Sequence, residues 1–240
     1  MRRRGTRWRC FASLNITTLG DTSYRLVWRK KVFYKYMLKN LNILLKRCFD
    51  FIVALLGIII LLPVFILSAI LIVIDSHGPV FYLSERIGKG LVPFVIYKFR
   101  TMYVGSDSGA QITSKSDSRI TRVGKILRKT KIDELPNLIN VLKGDMSFVG
   151  PRPEVKKFVD IFLDDYKKVL AVKPGITDLS SIEFRDEAEL LETSDNVEQV
   201  YTSKILPKKL KYNIKYVERN NVLSDFFIII KTLLAVVKPK

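Results

Sequence analysis

Thiol and imidazole side chains are nearly missing from this sequence. Cys10, Cys48 and His77 are all that its 240 residues contain. The two cysteines make no CxxC pair and no disulfide framework, which points to a reducing compartment with both thiols free. A lone histidine has no partner for a His-based triad or a zinc site, and within "DSHGP" it reads as a loop residue. Acids are scarce too: 23 against 41 Lys and Arg, for a net charge of +18 and a pI near 9.9. That balance implies an anionic partner: nucleic acid, an anionic membrane or phosphates. No internal repeat is visible. The length suits one domain, or a domain plus appendages, and a 48% hydrophobic content allows a core.

The charge is unevenly spread. Residues 1 to 36 hold ten Lys or Arg and one acid, Asp21, for +9, so the other 204 residues share the remaining +9. This N-terminal stretch shows no sustained hydrophobic period. Its "MRRR" start resembles a signal-peptide n-region, but "CFASLNITTLG" is too short and too polar for an h-region. Residues 1 to 36 are therefore expected to be a basic, poorly ordered extension. "MLKNLNILLKRCFDF" from Met37 offers a second start, and a chain beginning there is expected to remain active.

Charge is missing altogether from residues 51 to 74, "FIVALLGIIILLPVFILSAILIVI". Twenty-four apolar positions are enough to cross a bilayer at about 1.5 Å per residue. Only Gly57, Pro63 and Ser68 interrupt the run, and a soluble core helix of this length needs more of a polar face. Pro63 removes one backbone hydrogen bond and predicts a kink. Two topologies satisfy this: a kinked span, or two half-length arms that enter and leave on one side. Both flanks are basic, with Lys39, Lys46 and Arg47 before and Arg86, Lys89, Lys98 and Arg100 after, so the positive-inside rule selects no orientation.

Beyond residue 75 the pattern is that of a small α/β domain, mostly helical with short strands. "PVFYL" and "FVIYKF" predict strands, punctuated by Gly and Pro. From Arg119 a basic amphipathic helix is expected, with Ile120, Val123 and Leu127 on one face. Such helices lie on membrane surfaces or pack on a small core with a solvated face. "ELPNLINVLK" predicts a helix capped by Asp133 and ended by Gly144, "VGPRPE" a stiff turn, and residues 155 to 172 a helix. "VKPGIT" reads as a turn, with "DEAELLE" and a second basic helix after it. "SDFFIIIKTLLAVVK" reads as a helix capped by Ser224 or Asp225 and too short to span.

The pair Asp133-Glu134 stands out against its approach: residues 115 to 131 hold seven Lys or Arg and one acid. One reading of the pair is local, with an N-cap Asp and a first-turn Glu complementing a helix dipole. The other is chemical. A carboxylate kept ionised by backbone N–H groups can attack phosphorus and form an acyl phosphate, while its neighbour helps hold Mg²⁺ alongside substrate phosphates. Cations are then needed to admit an anionic substrate and to stabilise the leaving phosphate; Lys98, Arg100, Arg128 and Arg152 are suitable types.

The segments "LKRCFDFIVALLGIIILLPV", "GPVFY", "YKFRTM", "SRITRVGKILRKTKIDELPNLINVLKGDMSFVGPRPE" and "VKPGIT" occur in this order. Together they resemble the bacterial sugar transferase family, the monotopic phosphoglycosyl transferases, from about Leu38 to the C-terminus. The resemblance implies transfer of a sugar-1-phosphate from a UDP-sugar to polyprenyl phosphate, with release of UMP and initiation of surface glycan assembly. It implies that Asp133 is the nucleophile that carries a covalent phosphosugar, and that Glu134 is associated with Mg²⁺. It further implies phosphate or nucleotide contacts for Lys98, Arg100, Arg128 and Arg152, and a weaker match for Asp225. The expected architecture is a re-entrant helix hairpin broken at Pro63 (residues 37–74), amphipathic helices and a small cytosolic catalytic domain (75–240). It would sit on the cytosolic face of the bacterial inner membrane, an anionic surface, with downstream glycosyltransferases as partners.

Two departures limit what carries over. Many members continue "PGITGWAQV", whereas this chain reads "PGITDLSSIEFRDEAELLE", so contacts from that loop are not transferred. Residues 1 to 36 match nothing in the family's minimal unit. A rival reading is a non-catalytic membrane-surface module that recruits glycan-assembly partners, but such a module has no need of the acid pair, "YKFRTM" and "GPRPE" together. A nucleic-acid binder is excluded by the apolar segment and by how much charge sits in the extension.

Overall fold

A computed structural model describes residues 22–106, 117–184 and 196–237. Two compact units are distinguished, Met1–Ile43 and Leu44–Lys240. The first contributes the beginning of helix α1 (Thr22–Asp75). Helix thus begins inside the stretch expected to be an irregular extension. "YRLVWRKKVFYKYMLK" contains no Gly or Pro, so nothing in it breaks a helix. Residues 1–21 lie outside the described residues.

In the second unit, α1 presents one stripe to the rest of the domain. Arg47 donates to the carbonyls of Val141 (2.5 Å) and Leu142 (2.8 Å), and Asp50 Oδ1 accepts from the Phe148 N–H at 3.1 Å. Ala54, Ile58 and Leu61 then pack with Ile96, Leu138, Val141 and Met146. Phe65 and Ile72 pack with Phe99 and Leu127, and Asp75 Oδ2 accepts from the Val123 N–H at 2.9 Å. These positions recur every three or four residues, the period of one helix face. The side chains between them, among them Ile52, Leu56, Ile59, Ile60, Ile66, Leu67 and Ile70, are exposed. By length and composition this is a candidate membrane helix. The helix continues through Pro63, so two separate arms are not seen. Proline costs a helix one hydrogen bond, which a long, well-packed helix can absorb.

Strands β1 (Phe81–Ile87) and β2 (Pro93–Phe99) form an antiparallel hairpin, with Phe81 opposite Phe99 and Ile87 opposite Pro93. Helix α2 (Arg122–Thr130) is capped by Thr121, whose hydroxyl accepts from the Gly124 N–H at 2.9 Å. It starts three residues after the expected Arg119. A 3-10 turn (Ile132–Glu134) leads to α3 (Asn137–Lys143), which has Pro136 at its N-cap and Gly144, at φ 89°, at its C-cap. The fully buried Asn140 staples α3 to β2: Oδ1 accepts from the Tyr97 N–H (3.0 Å) and Nδ2 donates to Val95 O (2.7 Å).

Strand β3 (Ser147–Val149) pairs in parallel with β4 (Gly175–Thr177). Between them, α4 (Lys156–Ile161) and α5 (Leu163–Val169) replace the single helix expected over 155–172, because Phe162 leaves helical geometry. After β4 comes α6 (Leu179–Glu183). "DEAELLE" lies outside the described residues. A helical stretch then runs through α7 (Val197–Val200), a π-turn (Tyr201–Ile205) and α8 (Leu206–Arg219). Its buried Tyr201, Ile205, Leu206 and Leu210 join Phe158, Tyr166 and Leu170 in the largest apolar cluster. Each such apolar side chain contributes about 1.5–3 kcal/mol. The last helix is α9 (Val222–Val237). Its cap is Asn221 and not the expected Ser224 or Asp225: Asn221 Oδ1 accepts from the Ser224 N–H at 2.8 Å, and Ser224 Oγ accepts from the Asn221 N–H at 3.0 Å.

Candidate active site

Asp133 does not cap a helix. It lies inside the 3-10 turn, and α3 begins four residues later. The turn is entered through Lys131, which adopts the left-handed φ of 60°. The Asp133 carboxyl is buried and its Oδ1 has no hydrogen-bond partner. The expectation that backbone N–H groups would keep it ionised therefore fails. Burial pushes its pKa up, the neighbouring Glu134 adds to the rise, and Lys98, Lys131 and Arg128 pull the other way.

Glu134 has the opposite surroundings. Lys98 Nζ donates to its Oε1 at 2.9 Å. Arg152 grips both oxygens, Nη2 to Oε1 at 2.5 Å and Nη1 to Oε2 at 3.3 Å. Burial alone would raise Glu134, but Arg152 and Lys98 outweigh it and hold the carboxyl well below its ordinary range. The same pairing raises Arg152, whereas burial lowers Lys98 and Arg128. Arg128 reaches back through Nε to Thr101 Oγ1 at 2.8 Å. Asp133, Glu134, Lys98, Arg128 and Arg152 are thus drawn together by β2, α2, the 3-10 turn and the "GPRP" loop.

Two expected site residues are engaged elsewhere. Arg100 donates to His77 O (2.5 Å) and Ser76 O (2.6 Å), the carbonyls that follow α1, and its buried Nε is unpartnered. Asp225 pairs with Lys46 of α1, and the Tyr216 hydroxyl lies 2.7 Å from Asp225 Oδ1 and 3.1 Å from Val149 O. These contacts tie α1, α8, α9 and β3 together, and they give Asp225 a structural use.

Sequence reasoning singled out neither Asp178 nor the buried Asn137 and Ser147. Asp178, in the departing "PGITDLSS" loop, accepts from the Arg152 N–H at 2.8 Å and from Ser180 Oγ at 2.9 Å, and it caps α6. Asn137 Oδ1 and Ser147 Oγ are buried and unpartnered, as Asp133 Oδ1 is. Their place inside "DELPNL" and "GDMSFVGPRP" was the only available signal. A cavity of about 80 Å³ beside the Glu134 clamp is lined by Arg86, Lys98, Asn137, Arg152 and Glu154 among others.

Among the described residues, no three His, Cys, Asp or Glu side chains are placed to hold a metal. Asp133 Oδ1 is nevertheless free of partners, and Glu134 Oε2 has a single long contact. That donor set fits Mg²⁺ in the mode where one or two carboxylates act together with substrate phosphates.

The model of the family described as "Bacterial sugar transferase" matches residues 41–239. The chain belongs to the bacterial sugar transferase family. Among curated bacterial sugar transferase relatives, the chain is 38% identical over 193 residues to the UDP-N-acetylgalactosamine-undecaprenyl-phosphate N-acetylgalactosaminephosphotransferase of Aeromonas hydrophila, a match covering 79% of this chain and 43% of the relative. It is 34% identical over 207 residues to the UDP-glucose:undecaprenyl-phosphate glucose-1-phosphate transferase of Xanthomonas campestris pv. campestris, covering 84% and 40%. It is 33% identical over 207 residues to an exopolysaccharide production protein of Sinorhizobium fredii, covering 80% and 84%. The chain therefore spans about two fifths of the length of the first two relatives and most of the third.

Proposed function

We propose that this chain transfers a sugar-1-phosphate from a UDP-sugar to polyprenyl phosphate, in two displacements at one phosphorus atom. An oxygen of the Asp133 carboxylate attacks the phosphorus that bears the sugar. The bond from that phosphorus to the oxygen bridging to the uridine-bearing phosphate breaks, and UMP leaves with the electron pair. A phosphate oxygen of the polyprenyl phosphate then attacks the same phosphorus and frees Asp133, leaving the sugar on a lipid diphosphate. The observation that carries this reading is the buried, unpartnered Asp133 oxygen, beside Glu134 and within the field of Lys98, Lys131 and Arg128. Lys98 and Arg152 are oriented by Glu134 before any substrate arrives, so they meet growing phosphate charge without reorganising. Glu134, with the Asp133 oxygen that does not attack, would hold Mg²⁺, whose chemistry is to neutralise phosphate oxygens.

The relatives' names support the two substrates, and the exopolysaccharide relative supports a role in exopolysaccharide production; on this reading the step starts a surface glycan that downstream glycosyltransferases extend. A cytosolic-face site at the inner membrane suits a soluble UDP-sugar and a lipid-borne acceptor. The re-entrant topology is supported by α1, which contacts the rest of the Leu44–Lys240 unit on both sides of its apolar run, through Arg47 and through Asp75.

The test is UMP release by the membrane-embedded protein across a panel of UDP-sugars, with polyprenyl phosphate and Mg²⁺. Asp133→Asn is expected to abolish release and to retain no phosphosugar label on the protein. Near-normal turnover by a folded Asp133→Asn variant overturns the nucleophile assignment. Absence of release with every sugar favours the non-catalytic membrane-surface module.

A further inference from the structure

The part of α1 before residue 41 lies outside the family match, and the proposed chemistry makes no use of it. Between Thr22 and Asn40 its charged residues are Arg25, Arg29, Lys30, Lys31, Lys35 and Lys39, and no acid follows until Asp50. At about 3.6 residues per turn, the positions of Arg25, Arg29, Lys31, Lys35 and Lys39 fall on one arc, while those of Leu26, Phe33, Met37 and Leu41 fall on the opposite one, which Lys30 shares. The apolar residues have no cover: Val32, Phe33, Tyr34, Met37, Leu38 and Leu41 are each about half exposed or more. Aromatic residues cluster here as well, with Tyr24, Trp28, Phe33, Tyr34 and Tyr36 within thirteen positions.

We propose that residues 22–43 are an interfacial helix that binds the anionic headgroups of the membrane. Three observations select this occupant. A basic arc opposite an apolar arc is the pattern of helices that lie in the headgroup region. Amphipathic aromatics collect at that depth. The stretch also leads in sequence into the apolar run 51–74, which brings it to a bilayer surface. A nucleic acid would leave the exposed apolar arc uncovered, and a protein partner gives no reason for charge of a single sign. Anionic lipid headgroups satisfy the charge, the apolar arc and the aromatics together.

The chain's two tryptophans make this measurable, because Trp8→Phe leaves Trp28 as the sole tryptophan. The full chain carrying that change is placed in nanodiscs of brominated phosphatidylglycerol or of brominated phosphatidylcholine. Trp28 emission is expected to be quenched at least twofold more in phosphatidylglycerol, and raising the salt concentration should reduce the difference. Adding Arg25→Gln, Arg29→Gln, Lys31→Gln and Lys35→Gln is expected to remove at least half of the phosphatidylglycerol quenching and to leave UMP release at saturating substrate unchanged. Equal quenching in the two lipids, or quenching untouched by the four substitutions, would mean an apolar anchor without headgroup selectivity and overturns the proposal. No quenching in either lipid also overturns it and points to a partner other than lipid.

Discussion

One peptide bond separates Asp133 from Glu134, yet their surroundings drive the two carboxyls in opposite directions. Burial raises Asp133, whereas Arg152 and Lys98 hold Glu134 down against the same effect. A raised carboxyl binds its proton more tightly in the folded chain than in the unfolded one. Its stabilising contribution is complete below the unfolded pKa and is lost as pH rises through the folded pKa. By neutral pH that contribution has fallen, because ionising the buried Asp133 carboxyl is costlier in the folded chain than in the unfolded one. Asp133→Asn is expected to raise Tm at pH 7 while lowering kcat by at least about 10³-fold; an unchanged or lower Tm in thermal unfolding would contradict this account. The attacking form is the carboxylate, so the acid limb of kcat/KM should lie above that of an ordinary Asp. Glu134 behaves in the reverse sense. Its stabilisation is present above the unfolded pKa and is lost as pH falls through the depressed folded value. Glu134→Gln leaves Lys98 and Arg152 without their counter-charge. Breaking a buried pair costs about 3–5 kcal/mol, and the partial exposure of Arg152 reduces that to roughly 2. Urea unfolding at pH 7 checks this, and the difference between variant and parent should shrink in acid.

At the scale of elements, the site depends on the crossing of the "GPRP" loop over the "KPGIT" turn. A Cβ on Gly175 would collide with the backbone of Gly150, and one on Gly150 would meet the backbone of Lys173 and Gly175. Ser147 donates its N–H to Pro174 O at 2.9 Å, and Gly150 donates to Thr177 O at 3.0 Å, so neither segment can move alone. Gly175→Ala is expected to cost about 1–3 kcal/mol in urea unfolding. It should also raise KM for the UDP-sugar, because Arg152 is carried on the displaced loop; an unaltered KM would detach the crossing from the site. Much at this scale was legible in the sequence. The two strands β1 and β2, α2, α3 and the Gly144 stop follow from local periodicity and turn residues, and "DELPN" and "GPRP" marked the residues that meet. What was not legible has more than one cause. The Asn221 cap is a local pairing with Ser224 that the sequence reading passed over, whereas the contacts of Arg100 and Asp225 turn on how separate elements pack. Asp178 was invisible for the same reason: its value lies in the Arg152 N–H, twenty-six residues away.

At the scale of the molecule, α1 poses the question that composition left open. Twenty-four uncharged residues reach about 36 Å as a straight helix, more than the roughly 30 Å of a hydrocarbon core. Length therefore permits a span. The contact stripe supports the re-entrant topology proposed above. Arg47 and Asp50 bind α3 and β3 before the apolar run, Ala54 to Ile72 pack on the same unit along it, and Asp75 binds the start of α2 after it. A spanning helix would place these end contacts on opposite sides of the bilayer. The small polar domain that makes both cannot be on two sides at once, nor can its charged residues sit in hydrocarbon. In the re-entrant arrangement proposed above, both ends would lie on one side, the exposed apolar side chains between them would enter only part of the bilayer, and Pro63 would lie near the middle of that excursion. Asn40→Cys and His77→Cys, made singly in a background carrying Cys10→Ser and Cys48→Ser, give the measurement. In sealed vesicles of known orientation, an impermeant maleimide is expected to label both positions from the face where the UDP-sugar is consumed. Labelling of the two from opposite faces would establish a span, and the contacts at one end of the apolar run would then have to be released in the membrane.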